Sequence, residues 1–171
     1  MSLLTSLTRP ANAQQMPYLQ SDLPFGGTSS TLSANAVFVR RIRVAKPVKV
    51  SQVSVFVVTA SGNLDIAVYS SDGSTLTKLA STGSTAVSGT NALQDIAFAF
   101  TFLPGVDYYL AIAVDNGTAS LWRVSVSGTN TANILSRGEQ ALFKASSFPT
   151  PSSITISGMS ATGSSTWMLF A

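Results

Sequence analysis

Apolar and polar residues alternate along much of the chain after residue 35, with the period of two that is typical of half-buried β-strands. In residues 96–102 an isoleucine and three phenylalanines alternate with two alanines and a threonine. Because a strand turns successive side chains to opposite faces, this pattern predicts a strand whose large side chains form one wall of a core.

Further strands are predicted from alternation or from short runs of β-branched and aromatic residues. They are Val37–Val44, Val48–Thr59, Leu64–Tyr69, Thr75–Ser81, Asp107–Val114, Ser120–Ser127, Ile154–Ile156 and Ser165–Phe170. Strands of this length at near-regular spacing predict an all-β fold, a jelly-roll-like antiparallel β-sandwich, over residues 35–171. For residues 132–143 two alternatives stay open, one or two helical turns or a long excursion.

Glycine and proline mark the turns between these strands. Asp72-Gly73 and the segment 115–117 (Asp-Asn-Gly) carry the residues of tight hairpin turns. In residues 103–106 (Leu-Pro-Gly-Val) a proline at the second position and a glycine at the third predict a type II turn. Lys46-Pro47 is expected to end one strand before the next begins.

Residues 1–34 form a separate segment, the N-terminal arm. Pro10, Pro17 and Pro24 favour an extended conformation and exclude a long helix. The arm is too apolar for a solvated linker, so it is expected to lie across its own domain, to reach onto neighbouring subunits, or both. Its candidate partner-binding residues are Leu3, Leu4, Leu7, Tyr18, Leu19 and Phe25. A secretion signal is not expected, because the start has no basic region and no sufficiently long apolar run.

The amino-acid composition excludes several classes of function. The 171 residues include no cysteine and no histidine, so thiolate zinc sites, haem and iron–sulfur ligation, disulfides and histidine-dependent triads are excluded. Only 10% of the residues are charged and the mean hydropathy is +0.32. We therefore expect no enzyme and no cofactor, and a surface largely covered by other subunits.

Half of the ten basic residues lie within ten positions, at Arg40, Arg41, Arg43, Lys46 and Lys49. On a strand, Arg41 and Arg43 share one face and Arg40 lies on the other. Two interpretations stay open: contact with an acidic partner, or an exposed strand that its charges keep soluble. A net charge of +3 and the lack of interleaved aromatic and basic residues speak against nucleic acid. No membrane partner is predicted either.

Two kinds of ligand site are conceivable. Five aspartates (Asp65, Asp72, Asp95, Asp107 and Asp115) could supply oxygen ligands to calcium, but they are scattered singly, and those before glycine fit turns better. Among the aromatic residues, a sugar-stacking platform could include Tyr69, Tyr108, Tyr109, Trp122 and Trp167. Alternation places one of Tyr108 and Tyr109 in the core and the other on a face of small residues.

Three stretches carry a resemblance to a known class of proteins. They are residues 61–74 (SGNLDIAVYSSDGS), residues 79–84 (LASTGS) and residues 103–116 (LPGVDYYLAIAVDN). Together they cover about a third of the chain and resemble a jelly-roll module of tailed-bacteriophage virion proteins.

The resemblance implies a structural virion protein. Modules of this kind occur in capsid decoration (cement) proteins, in tail components and in receptor-binding fibres. Since this chain has no fibre shaft, no heptad repeats and no second domain, the resemblance favours a decoration protein on the capsid surface. It would form a homotrimer and bind the major capsid protein or another virion protein. A carbohydrate- or receptor-binding sandwich and a tail component are the alternatives.

Overall fold

The computed structural model describes residues 19–20, 27–125, 141–145, 147–162, 164–166 and 168–171. These residues form fifteen strands and one 3-10 turn, Ile156–Gly158. The strands are β1 (Leu19–Gln20), β2 (Gly27–Thr31), β3 (Ala36–Arg43), β4 (Val48–Thr59), β5 (Asn63–Ser71), β6 (Thr75–Ser81), β7 (Thr85–Ala86), β8 (Ala92–Phe102), β9 (Asp107–Val114), β10 (Ser120–Ser125), β11 (Ala141–Lys144), β12 (Ser153–Thr155), β13 (Ser160–Ala161), β14 (Ser164–Thr166) and β15 (Leu169–Phe170).

The described strands make two antiparallel sheets. In sheet A, β4 pairs with β8 along one side and with β15 and β10 along the other, while β1, β2 and β14 extend the sheet beyond them. Sheet B has the order β12-β6-β5-β9-β3-β11-β13, and β7 also pairs with β5. The predicted all-β antiparallel sandwich is confirmed.

The core lies between the two sheets. Sheet A contributes alternate residues of β4, such as Val53, Val55 and Val57, and sheet B contributes Ile66 and Ile112, all fully buried. The aromatic wall predicted on β8 is present: Phe98 and Phe102 are buried and Phe100 is half-buried. Edge-to-face ring contacts, which aromatic pairs prefer, join β8 to other strands. The centroid distances are 5.6 Å for Phe98–Phe170 and 5.2 Å for Phe102–Tyr108.

The predicted turns form, but most of them do not make hairpins. Gly105 has φ +78°, as a type II turn requires, and Gly73 has φ +96° in the turn that joins β5 to β6. β5 and β6 do pair with each other. The hairpin prediction at residues 115–117 is wrong, because the turn carries the chain from β9 in sheet B to β10 in sheet A. Turn chemistry reverses the chain direction, but it does not decide which strand lies alongside.

A close approach of two loops explains one glycine. Gly62, between β4 and β5, has φ +58°, and a Cβ atom there would collide with the side chains of Asp115 and Asn116. The Asp115 carboxylate accepts hydrogen bonds from the Asn63 backbone N–H at 2.9 Å and from the Asn63 amide at 2.7 Å. The β4–β5 and β9–β10 connections both lead from one sheet to the other, and these hydrogen bonds link them at one end of the sandwich.

The arm and the carboxyl-terminal strands meet sheet A. β2, which lies in the segment assigned to the arm, pairs with β10, and Leu32 is buried in the core. β15 pairs with β4, Phe170 is fully buried, and the carbonyl oxygen of Ala171 accepts hydrogen bonds from the backbone N–H groups of Ser51 and Gln52. Of the open segment 132–143, residues 141–143 belong to β11, and residues 132–140 lie outside the described residues.

Candidate functional site

The outer face of sheet B is covered by the chain itself. Residues 147–159, here called the covering segment, place Phe148, Ile154, Ile156 and Met159 in a second apolar cluster. The sheet's side of that cluster comes from alternate residues of its central strands: Val37, Val39, Ala67, Tyr69, Leu76, Ala111 and Ala113. Burial of both sides makes the covering segment part of the fold.

The covering segment also makes sheet B curl. β12 pairs with β6 at one end of the strand order and β13 pairs with β11 at the other, yet only residues 156–159 separate β12 from β13. Five peptide steps span at most about 18 Å. The two edges of sheet B are therefore close to each other, on the side of the second cluster.

A buried carboxylate fastens the covering segment. Asp65 on β5 is 1% exposed and accepts hydrogen bonds from the backbone N–H of Thr150 at 3.0 Å and from its hydroxyl at 2.5 Å. A third bond comes from the Thr82 hydroxyl at 3.3 Å. Because these donors satisfy the Asp65 carboxylate, it serves the fold rather than a ligand.

Tyr69 and Lys78 hold the same stretch of backbone. The Tyr69 hydroxyl donates to the carbonyl of Pro151 at 2.7 Å, and the Lys78 Nζ donates to the carbonyl of Thr150 at 2.7 Å. Burial raises the pKa of Tyr69 to about 12, and the nearby Asp65 acts in the same direction. Three side chains of β5 and β6 thus fix two consecutive residues of the covering segment.

The outer face of sheet A is different. The outward residues of β8 (Leu93, Asp95, Ala97, Ala99 and Thr101) are all exposed. We define the sheet A patch as Phe56, Val58, Leu93 and Trp122. Phe56 lies opposite Leu93 in the β4–β8 register and meets Trp122 edge-on, with ring centroids 6.0 Å apart. Leu93 is 57% exposed and the other three are half-buried.

The predicted arm site lies mostly outside the described residues. This holds for Leu3, Leu4, Leu7, Tyr18 and Phe25. Leu19 belongs to β1, where its backbone lies opposite Phe170 of β15. The partner-binding prediction for the arm therefore stays a prediction.

Arg41 and Arg43 share a face, as predicted, and both bind Asp107 on β9. The Arg41 Nη2 lies 2.9 Å from one carboxylate oxygen and the Arg43 Nε lies 2.8 Å from the other. The hydrogen bond from Arg43 is the main cause that holds the pKa of Asp107 below its usual value. Arg40 alternates to the other side of β3, where its backbone lies opposite Leu110 and Ala141.

The aspartates do not converge. Among the described residues no group of three or more His, Cys, Asp or Glu side chains could hold a metal ion. Asp72 accepts hydrogen bonds from the backbone N–H groups of Ser74 and Thr75, which lower its pKa. The pKa of Asp115 is likewise lowered, first by the backbone N–H of Asn63. Both act within turns and loops, which is the interpretation that the sequence favoured over calcium.

The candidate platform aromatics that the structure describes do not form one surface. Tyr69 is fully buried in the second apolar cluster, and Trp167 lies outside the described residues. Tyr108 is a core residue, and Tyr109 lies on the outer face of sheet B with Ala111 and Ala113. This is the division that alternation predicted. Trp122 lies on the outer face of sheet A, so the sandwich separates it from Tyr109.

Sequence reasoning missed one buried cation. Arg123 on β10 points into the sandwich, where its guanidinium lies 4.7 Å from the centroid of the Phe38 ring. It donates a hydrogen bond to the carbonyl of Thr31 at 3.3 Å, and burial lowers its pKa. Alternation with the core residue Leu121 would have placed Arg123 inward, because residues two apart on a strand share a face.

Comparison with protein-family models, with curated proteins and with solved structures found no match. In the described part of the chain, no helix has the length and apolar character needed to span a membrane. A functional proposal for this chain therefore depends on the geometry of the two outer faces and on the resemblance carried by its sequence.

Proposed function

We propose that this protein is a non-enzymatic structural component of a virion, a decoration (cement) protein that works through protein–protein contacts. It would self-associate, as a homotrimer by resemblance, and bind the major capsid protein on the capsid surface. The observation that carries the proposal is the exposed outward side of β8 with the adjoining sheet A patch, together with the virion-protein resemblance in residues 61–74, 79–84 and 103–116.

The sheet A patch has the character of an interface. Large apolar and aromatic side chains that are contiguous and partly exposed mark sites of protein association. Next to the patch, the outward residues of β8 are small, and only Asp95 among them is charged. A partner covering this face would desolvate few charges.

The free side of β8 supports the same proposal. Among the described strands, β8 pairs with β4 alone, so eleven residues of strand have an edge with no described partner. Exposed edges are usually blocked by lysines, prolines or short length. β8 has one charged residue, Asp95, and a register shift against β4, but it is eleven residues long and has no lysine or proline. It therefore offers backbone groups on which a second chain could add a strand.

Self-association is tested by Leu93→Glu, with Leu79→Glu as the matched control. Leu79 is 46% exposed but lies on β6, outside the sheet A patch. Sedimentation of both variants over a range of concentrations should show about tenfold or greater weakening of association for Leu93→Glu and little change for Leu79→Glu. A wild-type monomer at all concentrations would refute the trimer, and equal effects of both variants would refute the patch.

Capsid attachment is tested by deleting residues 1–18 and measuring binding to undecorated capsids of the virus that encodes the chain. A longer deletion would remove β1 and β2, which belong to sheet A, and would confuse misfolding with lost binding. We expect binding to fall while the secondary structure content is kept. Undiminished binding would refute the arm as a capsid-gripping element, and capsids that bind neither form would favour a tail location.

A carbohydrate- or receptor-binding role is the second candidate. Tyr109 is half-buried on the outer face of sheet B and lies opposite Arg41, which binds Asp107. An aromatic face beside fixed polar groups suits a sugar ring. Glycan-array binding that is lost in Tyr109→Ala or Trp122→Ala would favour this candidate.

A further inference from the structure

Two turns meet at one end of the sandwich. The β3–β4 turn (residues 44–47) and the β8–β9 turn (residues 103–106) are neighbours, because Arg43 lies opposite Asp107 and Val48 lies opposite Phe102. We call this end the basic tip. It comprises Arg41, Arg43, Lys46, Lys49, Leu103, Val106 and Asp107.

The centre of the basic tip is apolar. Leu103 is 50% exposed and Val106 is 38% exposed, and the Pro104 and Gly105 between them are exposed too. Exposed tight turns are usually built from Gly, Pro, Asn, Asp and Ser. Here two aliphatic side chains flank a Pro-Gly pair, although neither of them is needed for the turn geometry.

Cations surround this apolar centre. Lys46 and Lys49 are exposed, and the side chains of Arg41 and Arg43 are 34% and 58% exposed. Among the described residues, two carboxylates lie at the same end. Asp107 is held between the two arginines, and Asp72 binds the backbone of its own turn. The basic tip therefore presents an excess of positive charge, with both lysines exposed.

The tip is rigid. The backbone N–H of Leu103 donates to the hydroxyl of Tyr108 at 3.1 Å, and Tyr108 is buried against Phe102 with ring centroids 5.2 Å apart. Both arginines are oriented by Asp107. A surface whose side chains are already ordered loses less entropy when a partner binds.

We infer that the basic tip binds an acidic protein surface that offers an apolar pocket for Leu103 and Val106. Cations around an aliphatic centre complement carboxylates around a pocket, and such complementarity sets register and association rate. A bilayer surface fits less well, since the tip has only two aliphatic side chains and no exposed aromatic residue to anchor it. Nucleic acid fits less well because Leu103 and Val106 cannot stack on bases.

The test uses the full chain and a fluorescent peptide of repeated Glu-Glu-Leu units, with Lys-Lys-Leu and Glu-Glu-Ser peptides as specificity controls. Fluorescence anisotropy is measured at low and at physiological salt. We expect saturable binding of the Glu-Glu-Leu peptide that weakens with salt. It should weaken about tenfold in Lys46→Glu/Lys49→Glu and about fivefold in Leu103→Ser/Val106→Ser.

Matched variants lie elsewhere on the surface. Leu79→Ser removes an equally exposed leucine from β6, and Lys144→Glu reverses a charge on β11. Both should bind the peptide within about twofold of wild type. Circular dichroism of all variants establishes that they are folded.

Three results would overturn the inference. One is no saturable binding of the Glu-Glu-Leu peptide up to about 1 mM. Another is equal loss of binding in the tip variants and the matched variants. The third is binding to phosphatidylserine vesicles, or to single-stranded DNA, that is stronger than peptide binding and equally sensitive to the tip variants. Loss of self-association in Leu93→Glu with peptide binding retained would separate this site from the sheet A patch.

Discussion

The outer faces of the two sheets differ in how far the described part of the chain covers them. On sheet B, residues 147–159 cover the face, bury an apolar cluster and satisfy a buried carboxylate. On sheet A, the outward residues of β8 are exposed, and an aromatic and aliphatic patch has no such cover among the described residues. The two faces therefore have different roles. Side chains on the covered face of sheet B stabilise the fold, and those on the open face of sheet A are accessible to partners.

The largest expected effect comes from an apolar side chain of the covered face. Ile154→Ala, at a fully buried position, should lower the free energy of unfolding by about 3 kcal/mol, because it removes buried methyl groups and leaves a cavity. Leu93→Ala on the open face should change it by less than about 0.5 kcal/mol. Urea denaturation of both variants measures the difference, and similar losses would mean that the two faces contribute alike.

Two aspartates, one on each sheet, allow the same comparison of the two faces for polar side chains. Asp65→Ala should cost about 3 kcal/mol, since it leaves the Thr150 N–H and hydroxyl without their acceptor in a buried place. Asp95→Ala should cost about 1 kcal/mol, because Asp95 itself is exposed and only one group, the hydroxyl of the buried Ser54, loses its acceptor. A larger loss for Asp95→Ala would contradict the comparison.

The covering segment should also respond to alkaline pH through Tyr69. Burial raises its pKa to about 12, so the folded state holds this proton more tightly than the unfolded chain, whose tyrosines titrate near 10. The stability due to Tyr69 is therefore complete below about pH 10 and is lost as the pH rises through 12, by about 3 kcal/mol in all. Urea denaturation as a function of pH should show this loss in wild type and a smaller one in Tyr69→Phe. Identical profiles would refute the assignment.

The smallest effect is expected at the end of sheet B, beyond the second cluster. The arginines hold the pKa of Asp107 below its usual value, so its contribution to stability is present above about pH 4 and is lost as the pH falls through the lower folded pKa. All three side chains are partly exposed, so Asp107→Asn should cost only about 0.5 kcal/mol at neutral pH. Acid titration of both proteins checks this, and a cost above about 2 kcal/mol would point to a buried role.

Much of the fold could be predicted from local residue patterns. The stripe at residues 96–102 predicted the β8 wall, and the alternation after Asp107 predicted that one of Tyr108 and Tyr109 is a core residue and the other lies on a face of small residues. In the structure Tyr108 is the core residue, and Tyr109 lies with Ala111 and Ala113. Both predictions were possible because the faces of a strand follow from residue spacing alone. The same rule, applied to Leu121 and Arg123, would have found the buried arginine.

The surfaces could not be predicted in this way. The sequence does not say that the carboxylate of Asp65, 85 positions before Thr150, accepts hydrogen bonds from that residue. Nor does it show that Phe56 and Trp122 form one patch, or that Tyr109 and Trp122 lie on opposite outer faces. Each of these facts depends on contacts between residues that are far apart in the chain.

By itself, the sequence determined where the longer strands and the turns between them lie, which side chains share a face, and which chemistry is excluded by the lack of cysteine and histidine. These properties depend on residue type and on spacings of a few residues. Only the tertiary structure decided that the turn at residues 115–117 leads from one sheet to the other, that β4 pairs with β8, and that residues 147–159 cover sheet B. Strand pairing is decided by the burial of whole faces at once, and a turn reverses the chain in the same way whether the next strand joins the same sheet or the opposite one.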